Sequence, residues 1–456
     1  MSTERRTGER RYCDGWTRRD ALRLGAISMF GGGLNMAGLL AAQAAPTSSA
    51  EPNSAVLQDT GLSIIYLFLK GGLSTIDTLD MKPQAPSEIR GEFQSIATNV
   101  PGIEVCEHLP QLARQADKYS LVRSFGHRNS DHGPADHYML TGFHPQAGFN
   151  PSLSPNNQRP AFGSVVSRTL GPRGTVPPYV SLPQLHASSG PAYLGPTSAA
   201  LGILADPNSP DFSVPDIVPP LALASERLER RRSLLKTVDQ LQQAEELAAN
   251  KSAKAVSVFR QKAFDLMTSP EAKRAFDIHA ESAELRDRYG RTTLGQSCLM
   301  ARRLVEAGVR FVTIDHSNWD THDNNFVVLK NELLPALDQG LSALFSDLAQ
   351  RGLLTKTLVL VTGEFGRTPR INKNAGRDHW GPSFTVLLGG GGVQGGRVIG
   401  ASDERAEKPA DKPHGPENLA ATLYHLLGLN ANHEFHTAEG RPVKLVQDGR
   451  VMRELL

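Results

Sequence analysis

Several things are scarce in this sequence, and each shortage narrows what the chain can be. Only three cysteines occur in 456 residues, Cys13, Cys106 and Cys298, far from one another along the chain. That excludes a cysteine-rich metal site and leaves Cys106 and Cys298 either to form one disulfide in an oxidising compartment or to stand as two unrelated buried thiols. Aromatic residues make up 6% of the chain and only three are tryptophan, which argues against a sugar-binding module built on a groove of exposed rings. Net charge is nearly absent at +2, and even that excess is local. Residues 1–44 carry seven arginines against four acids, so taking away that excess of three leaves the remainder near −1. No basic surface argues for nucleic acid or for anionic lipid. Gly389-Gly390-Gly391-Gly392 lacks the Lys-Ser/Thr pair of a phosphate loop, and Gly71-Gly72 lacks the full dinucleotide fingerprint, so nucleotide binding is not supported.

Long apolar runs are missing too. The nearest approach, Leu24 to Leu40, is diluted by Gly25, Gly31, Gly32, Gly33, Asn35 and Gly38, and it falls short of the ~20 apolar residues that span a bilayer. Before it stands Thr17-Arg18-Arg19-Asp20-Ala21-Leu22-Arg23, and after it the small-x-small site Ala42-Gln43-Ala44. These three parts, in this order, read as a twin-arginine signal peptide over residues 1–44, removed after export, rather than as a signal anchor. The expected partner at that stage is the twin-arginine translocase. The expected location is periplasmic or secreted, with no stable membrane span after processing.

What remains is rich in turns, with 42 glycines and 30 prolines among 39% hydrophobic and 21% charged residues, enough material for one large core or two smaller ones. Residues 45–60 read as a linker. From 61 to 456 the pattern predicts one α/β domain with a doubly wound, mostly parallel sheet. The strand Leu62–Leu69 is nearly all apolar, as in a strand covered on both faces. Further strands are expected at Ser120–Arg123, Val309–Ile314, Thr357–Thr362 and Phe384–Leu388. Helices are expected at Leu109–Lys118, Ala135–Thr141, Ser297–Glu306, Leu329–Gln350 and Glu417–Leu427. A loop-rich and helical insertion occupies about 145–295. In open sheets of this kind ligands bind beyond the carboxyl ends of the strands, and polar residues gather there: Asp77 and Asp80, the segment His127 to His137, Asp315 to Asp323, Glu364, and Asp378-His379-Trp380.

Imidazoles and carboxylates together are the usual donor set of a hydrolytic metal site. Trp319-Asp320-Thr321-His322-Asp323 offers an acid and an imidazole two residues apart on an extended loop. Glu364 is the first side chain to emerge from a buried strand; it is read as a ligand, or else as the ion-pair partner of Arg367 or Arg370. Either arginine suits an oxyanion substrate. Asp320, His322, Glu364 and His379 are the candidate ligands. Ser130, within Gly126-His127-Arg128-Asn129-Ser130-Asp131-His132-Gly133, is either a nucleophile near a helix N-terminus or a helix N-cap. His132 or His379 would handle protons, so the candidate catalytic set is Ser130, His132 and Arg367.

Taken together, the twin-arginine leader, Leu69–Asp80, Arg123–Gly142, Ala301–Val312, Trp319–His322, Gly363–Pro369 and Gly376–Trp380 resemble the bacterial proteins called domain of unknown function 1501. The resemblance implies an alkaline-phosphatase-like fold, shared with sulfatases, phosphopentomutase and cofactor-independent phosphoglycerate mutase. By the pattern of that superfamily, Ser130 stands at the nucleophile, Asp320 with His322 at an Asp-x-x-x-His unit, and His379 at the last histidine. Lys70 stands where the first metal-binding Asp is expected, so Asp77 or Asp80 substitutes for it or that ligand is missing. Glu364 and Phe365 replace an Asp-His pair, and no Cys-x-Pro-x-Arg element for formylglycine is present. The implied activity is a metal-dependent hydrolase or transferase, with a divalent cation, zinc first and calcium, magnesium or manganese as alternatives. Its substrate would be a small anionic ester or a sulfated or phosphorylated polymer. The alternative is a non-catalytic exported binding or assembly protein on the same fold.

If Thr17–Arg23 directs export, changing Arg18 and Arg19 to lysine should leave the precursor in the cytoplasm with residues 1–44 still attached. Cell fractionation and N-terminal sequencing check this, and normal maturation of the double variant refutes it.

Overall fold

The computed structural model describes residues 55–152, 157–214, 230, 233, 266–437 and 439–456. The leader, most of the linker, and part of the loop-rich and helical insertion expected at about 145–295 lie outside the described residues.

An eight-stranded sheet organises the chain. In chain order its strands are β1 (Ser63–Leu69), β2 (Tyr119–Phe125), β3 (Tyr179–Leu182), β4 (Leu201–Gly202), β5 (Phe311–His316), β6 (Thr357–Thr362), β7 (Phe384–Gly389) and β8 (Arg397–Ile399). Across the sheet they run β8-β2-β7-β6-β1-β5-β3-β4. Every pairing is parallel except those of β7, which is antiparallel to both β6 and β2. The sheet is therefore mostly parallel, and the amino end of β7 meets the carboxyl ends of its neighbours. Five helices matter below: α1 (His132–Thr141), α2 (Phe162–Leu170), α3 (Thr293–Glu306), α4 (Leu334–Gln350) and α5 (Pro416–Leu426).

All seven residues of β1 are buried, as the unbroken apolar run requires of a strand with layers on both faces. Its side chains alternate between the two layers with period two. Ile65, Leu67 and Leu69 join the cluster that holds Leu294 and Leu304 of α3 and Leu341 and Leu348 of α4. Ile64, Tyr66 and Phe68 join the cluster with Met139 of α1, Val165 of α2 and Leu423 of α5. The result is a three-layer sandwich with the sheet in the middle.

Register sets the working edge. Leu69 of β1 pairs with His316 of β5, and Phe68 pairs with Thr362 of β6, so the three central strands end level with one another. Strand β5 runs two residues beyond the predicted Ile314, which draws Asp315 into the sheet, where it is almost fully buried. Helix α1 begins three residues earlier than predicted. Both shifts add residues outside the apolar pattern to an element, which hydrophobic periodicity does not register. Cys106 and Cys298 are buried and unbonded, and burial pushes both thiols up to about 12. Among the described residues no helix is long and apolar enough to cross a membrane.

Asp77, a candidate ligand by sequence, has another task. It is fully buried, and both its oxygens face Arg377, at 2.7 Å each. Ser74 Oγ and Asn325 Nδ2 also donate to it, at 2.6 and 2.9 Å. Arg377 donates in turn to the carbonyls of Ile89, Thr368 and Pro369, so the pair pins the loop after β1 to the loop after β6. Asp80, the other substitute considered, is bonded to Lys82 and Ser402.

Removing one partner of a buried pair leaves the other charge uncompensated, at ~3–5 kcal/mol. Arg377→Met should therefore lower stability to urea by about that amount, and adding Asp77→Asn should recover a substantial part of it. A double variant as unstable as the single one would show that the ion pair is not the source.

Candidate metal centre

Four loops supply the site, those after β1, β2, β5 and β6, and close backbone approaches place them, Gly381 lying so near Asn129 O of the loop after β2 that a Cβ there would be 2.0 Å away. After β1, Gly71 adopts φ +114°, and a Cβ on it would lie 2.4 Å from the backbone nitrogen of Asp320. Only glycine lets the two loops touch there. After β6 the chain turns at Gly363, and the Glu364 carboxylate accepts hydrogen bonds from Gly71 N at 2.9 and 3.0 Å. Further on, Gly366–Arg367 and His379–Trp380 form a short antiparallel pair that sets His379 opposite Arg367. After β5, Trp319 N donates to Lys70 O, and Gly376 lies so close to His322 O that a Cβ there would be 1.8 Å away.

These approaches bring His132, Asp320 and His379 together, with one ligand atom of each within 4.8 Å of the others. Asp320 Oδ2 is 3.3 Å from His132 Nε2, and Asp320 Oδ1 is 3.0 Å from His379 Nε2. His322 Nε2 joins them, 3.0 Å from Asp320 Oδ1 and 2.9 Å from His379 Nε2. Phe365 stacks on His379, with centroids 4.4 Å apart, and lies 5.2 Å from His132. The residue that stands in for an expected histidine thus packs against two imidazoles.

The far nitrogen of each ring has its own acceptor. His379 Nδ1 donates to Ser130 O at 2.9 Å, His132 Nδ1 donates to Glu364 Oε1 at 2.7 Å, and His322 Nδ1 donates to Asp378 Oδ1 at 2.8 Å. With those protons placed, all three Nε2 atoms turn lone pairs inward, toward each other and toward a carboxylate. Acceptors facing acceptors repel unless a proton or a cation lies among them, and imidazoles oriented by a carbonyl or carboxylate behind them are the usual arrangement of metal ligands. The donor set fits a divalent cation of the zinc type.

Charge states agree for Asp320 and His379, while in the metal-free site His132 is drawn toward its protonated form. Burial raises the Asp320 carboxyl, but the Arg367 hydrogen bond and charge outweigh it and bring it down to about 2. Burial lowers His379, against the opposing hydrogen bond with Asp320, and keeps it neutral. The hydrogen bond to Glu364 raises His132 against the effect of burial. Glu364 itself is raised by burial and by the charge of Asp136, with His132 opposing.

Three sequence candidates sit differently from expectation. Glu364 lies behind His132, fully buried, and is not one of the converging groups. Arg367 is also buried and donates to Gly71 O, Gly72 O, Trp319 O, Arg377 O and Asp320 Oδ1, so it holds loops and Asp320 instead of projecting toward a substrate. Arg370, on the same loop, is exposed. Ser130 is half-buried, and its Oγ accepts from Gly381 N at 3.1 Å. Asp131, not Ser130, occupies the N-cap of α1. The converging set includes His132, which sequence reasoning assigned to proton transfer. Asp378 had no assigned role, and its only signal was adjacency to His379. Beyond Glu364 lies a buried polar group that the sequence reading did not assemble: His186 is 3.3 Å from Asp136, and Asp315 is close enough to influence its protonation.

No curated protein matches the sequence. Among solved structures the chain is similar to the lipoteichoic acid synthase of Listeria monocytogenes, at 9% identity over 91% of this chain and 81% of that one, with a TM-score of 0.39. It is also similar to the phosphonate monoester hydrolase of Silicibacter pomeroyi, at 12% identity over 87% and 76%, TM-score 0.39. A protein in the alkaline phosphatase superfamily from Vibrio parahaemolyticus gives 10% identity over 88% and 77%, TM-score 0.37. A family match extends over residues 62–456, from the first sheet strand to the last residue, and the chain belongs to that family, described as protein of unknown function (DUF1501).

Proposed function

We propose that the protein is a divalent-metal-dependent hydrolase or transferase acting on phosphate- or sulfate-type esters. The observation that carries this reading is the convergence of His132, Asp320 and His379 at one sheet edge, with His322 beside them. These four would hold the cation, zinc before calcium, magnesium or manganese, because imidazole nitrogens dominate the set. A cation there supplies positive charge for the transition state of an anionic ester. Ser130 is the proposed nucleophile: the residue is half-buried, and the Gly381 amide that donates to its Oγ stabilises negative charge developing on that oxygen. Glu364 is a positioning residue that fixes the tautomer of His132, and Arg367 positions Asp320 and keeps it ionised. Arg370, exposed nearby, is the proposed contact for the substrate oxyanion. The twin-arginine motif supports export before leader removal, to the periplasm or medium.

His132→Ala and His379→Ala should each abolish bound metal in elemental analysis and remove turnover of aryl phosphates or aryl sulfates. Ser130→Ala should keep the metal and lose turnover. Wild-type protein from its native compartment that holds no metal and cleaves none of these esters would overturn the proposal in favour of a binding or assembly role.

The pH dependence has a definite sign. Metal binding needs Nε2 of His132 deprotonated, and its pKa is raised above 6.5, so metal affinity should already be falling as pH drops toward that value. In the metal-free protein the sign is opposite: protonated His132 contributes stability fully below pH 6.5, lost as pH rises through the raised value. Glu364→Gln should move the onset of metal loss to lower pH while weakening affinity by roughly 10–100-fold. Calorimetric titration with zinc at several pH values measures both, and an unmoved onset would rule out the orienting role.

A further inference from the structure

A second feature lies at the other end of α1. A cavity of about 560 Å³ opens between the loop that follows α1 and the hairpin Glu434–His436 with Pro442–Lys444. This volume is in the range of small-molecule sites and far larger than a lone inorganic anion needs. Arg159, Arg441 and Lys444 line it, against the single carboxylate of Asp448.

Arg159 is the informative member. It is 7% exposed, and its guanidinium lies 5.1 Å from the centroid of the Phe143 ring. Among the described residues no carboxylate forms an ion pair with it; the buried Arg286 likewise has neutral partners, Gln296, His279 and the Pro207 carbonyl, whereas the buried Arg302, Arg367 and Arg377 each have a carboxylate. A buried guanidinium without a counter-charge is costly, and an anion in the cavity offsets that cost. Arg441 and Lys444 are exposed at the rim and add charge of the same sign. Asn432 and Gln447 supply neutral amides, which suit hydroxyl groups better than they suit a bare ion. Basic groups, amides and an aromatic wall together describe a sugar that bears an oxyanion.

We infer that this cavity binds an anionic saccharide unit through Arg159, Arg441 and Lys444. Helix α1 connects the two sites: His132 is its first residue, and Phe143 follows its end. At 1.5 Å per residue the separation along the helix is roughly 15 Å, which an oligomer bridges and a single sugar does not. That the bound unit belongs to the substrate rests on the ester-hydrolase reading; binding itself does not.

Titration calorimetry on the leaderless protein, with sulfated dextran oligosaccharide, the uncharged dextran of equal length and inorganic sulfate as probes, tests it. The sulfated oligosaccharide should bind most tightly. Arg159→Gln should weaken it roughly tenfold, and Arg441→Ala with Lys444→Ala by at least as much, each charge-assisted contact being worth about that factor. The rim pair is exposed, so its result stands even if Arg159→Gln fails to fold. Lys356→Ala, at the opposite sheet edge, should change nothing, and His132→Ala, which loses metal and turnover, should still bind the sulfated oligosaccharide more tightly than the uncharged one. Equal binding of charged and uncharged oligosaccharide, equal binding of inorganic sulfate, or unchanged affinity in the rim variant overturns the inference.

Discussion

One peptide segment, Lys70-Gly71-Gly72, holds the functional edge together. Gly71 N–H donates to both oxygens of Glu364, its carbonyl accepts from Arg367, and its Cα rests against the backbone of Asp320. Glu364 then orients His132, while Arg367 fixes Asp320. Two of the converging groups therefore owe their placement to a residue with no side chain. A methyl group there would collide with the backbone of Trp319 and Asp320, and the loops after β1 and β5 could not approach as they do.

Around that contact the site has graded exposure. Glu364 and Arg367 are buried, His379 and His132 are partly covered, and Asp378 and Arg370 face solvent. Buried groups at the back are held by several hydrogen bonds each, which suits residues that keep others in place. Groups in front have fewer partners. The polarity of the site thus increases outward, from a rigid carboxylate-guanidinium base to acceptors that still have unused capacity.

Much of this edge was legible in the sequence. The central strands were visible because short apolar runs that end in glycine or polar turns suit strands covered on both faces, and the level register follows once they are neighbours. Asp320, His322 and His379 stood out as imidazoles and acids just beyond strands. Glu364 stands behind His132, a placement the motif does not reveal, because it records which residue leaves a strand but not the direction its side chain takes after a glycine turn. Arg367 read as a substrate contact because arginine is seldom fully buried; its acceptors are carbonyls contributed by other loops, invisible along the chain. Asp77 drew attention as an acid after the first strand, yet its partner Arg377 lies 300 residues away. The cavity beside Arg159 had no linear signature at all.

Those separations bear on when the site can exist. Gly71 meets Glu364 across 293 positions, and Asp77 meets Arg377 across 300. Contacts of such long range form late in folding, since the intervening chain must first be ordered. A ribosome adding about 5–20 residues per second must release nearly the whole domain before the loop after β1 finds its partners. The amino-terminal half emerges with its histidine and its acids far from their future neighbours. Any passage through a membrane in extended form would erase the arrangement and require it to be rebuilt on the far side, whereas a chain that crosses already folded carries it intact.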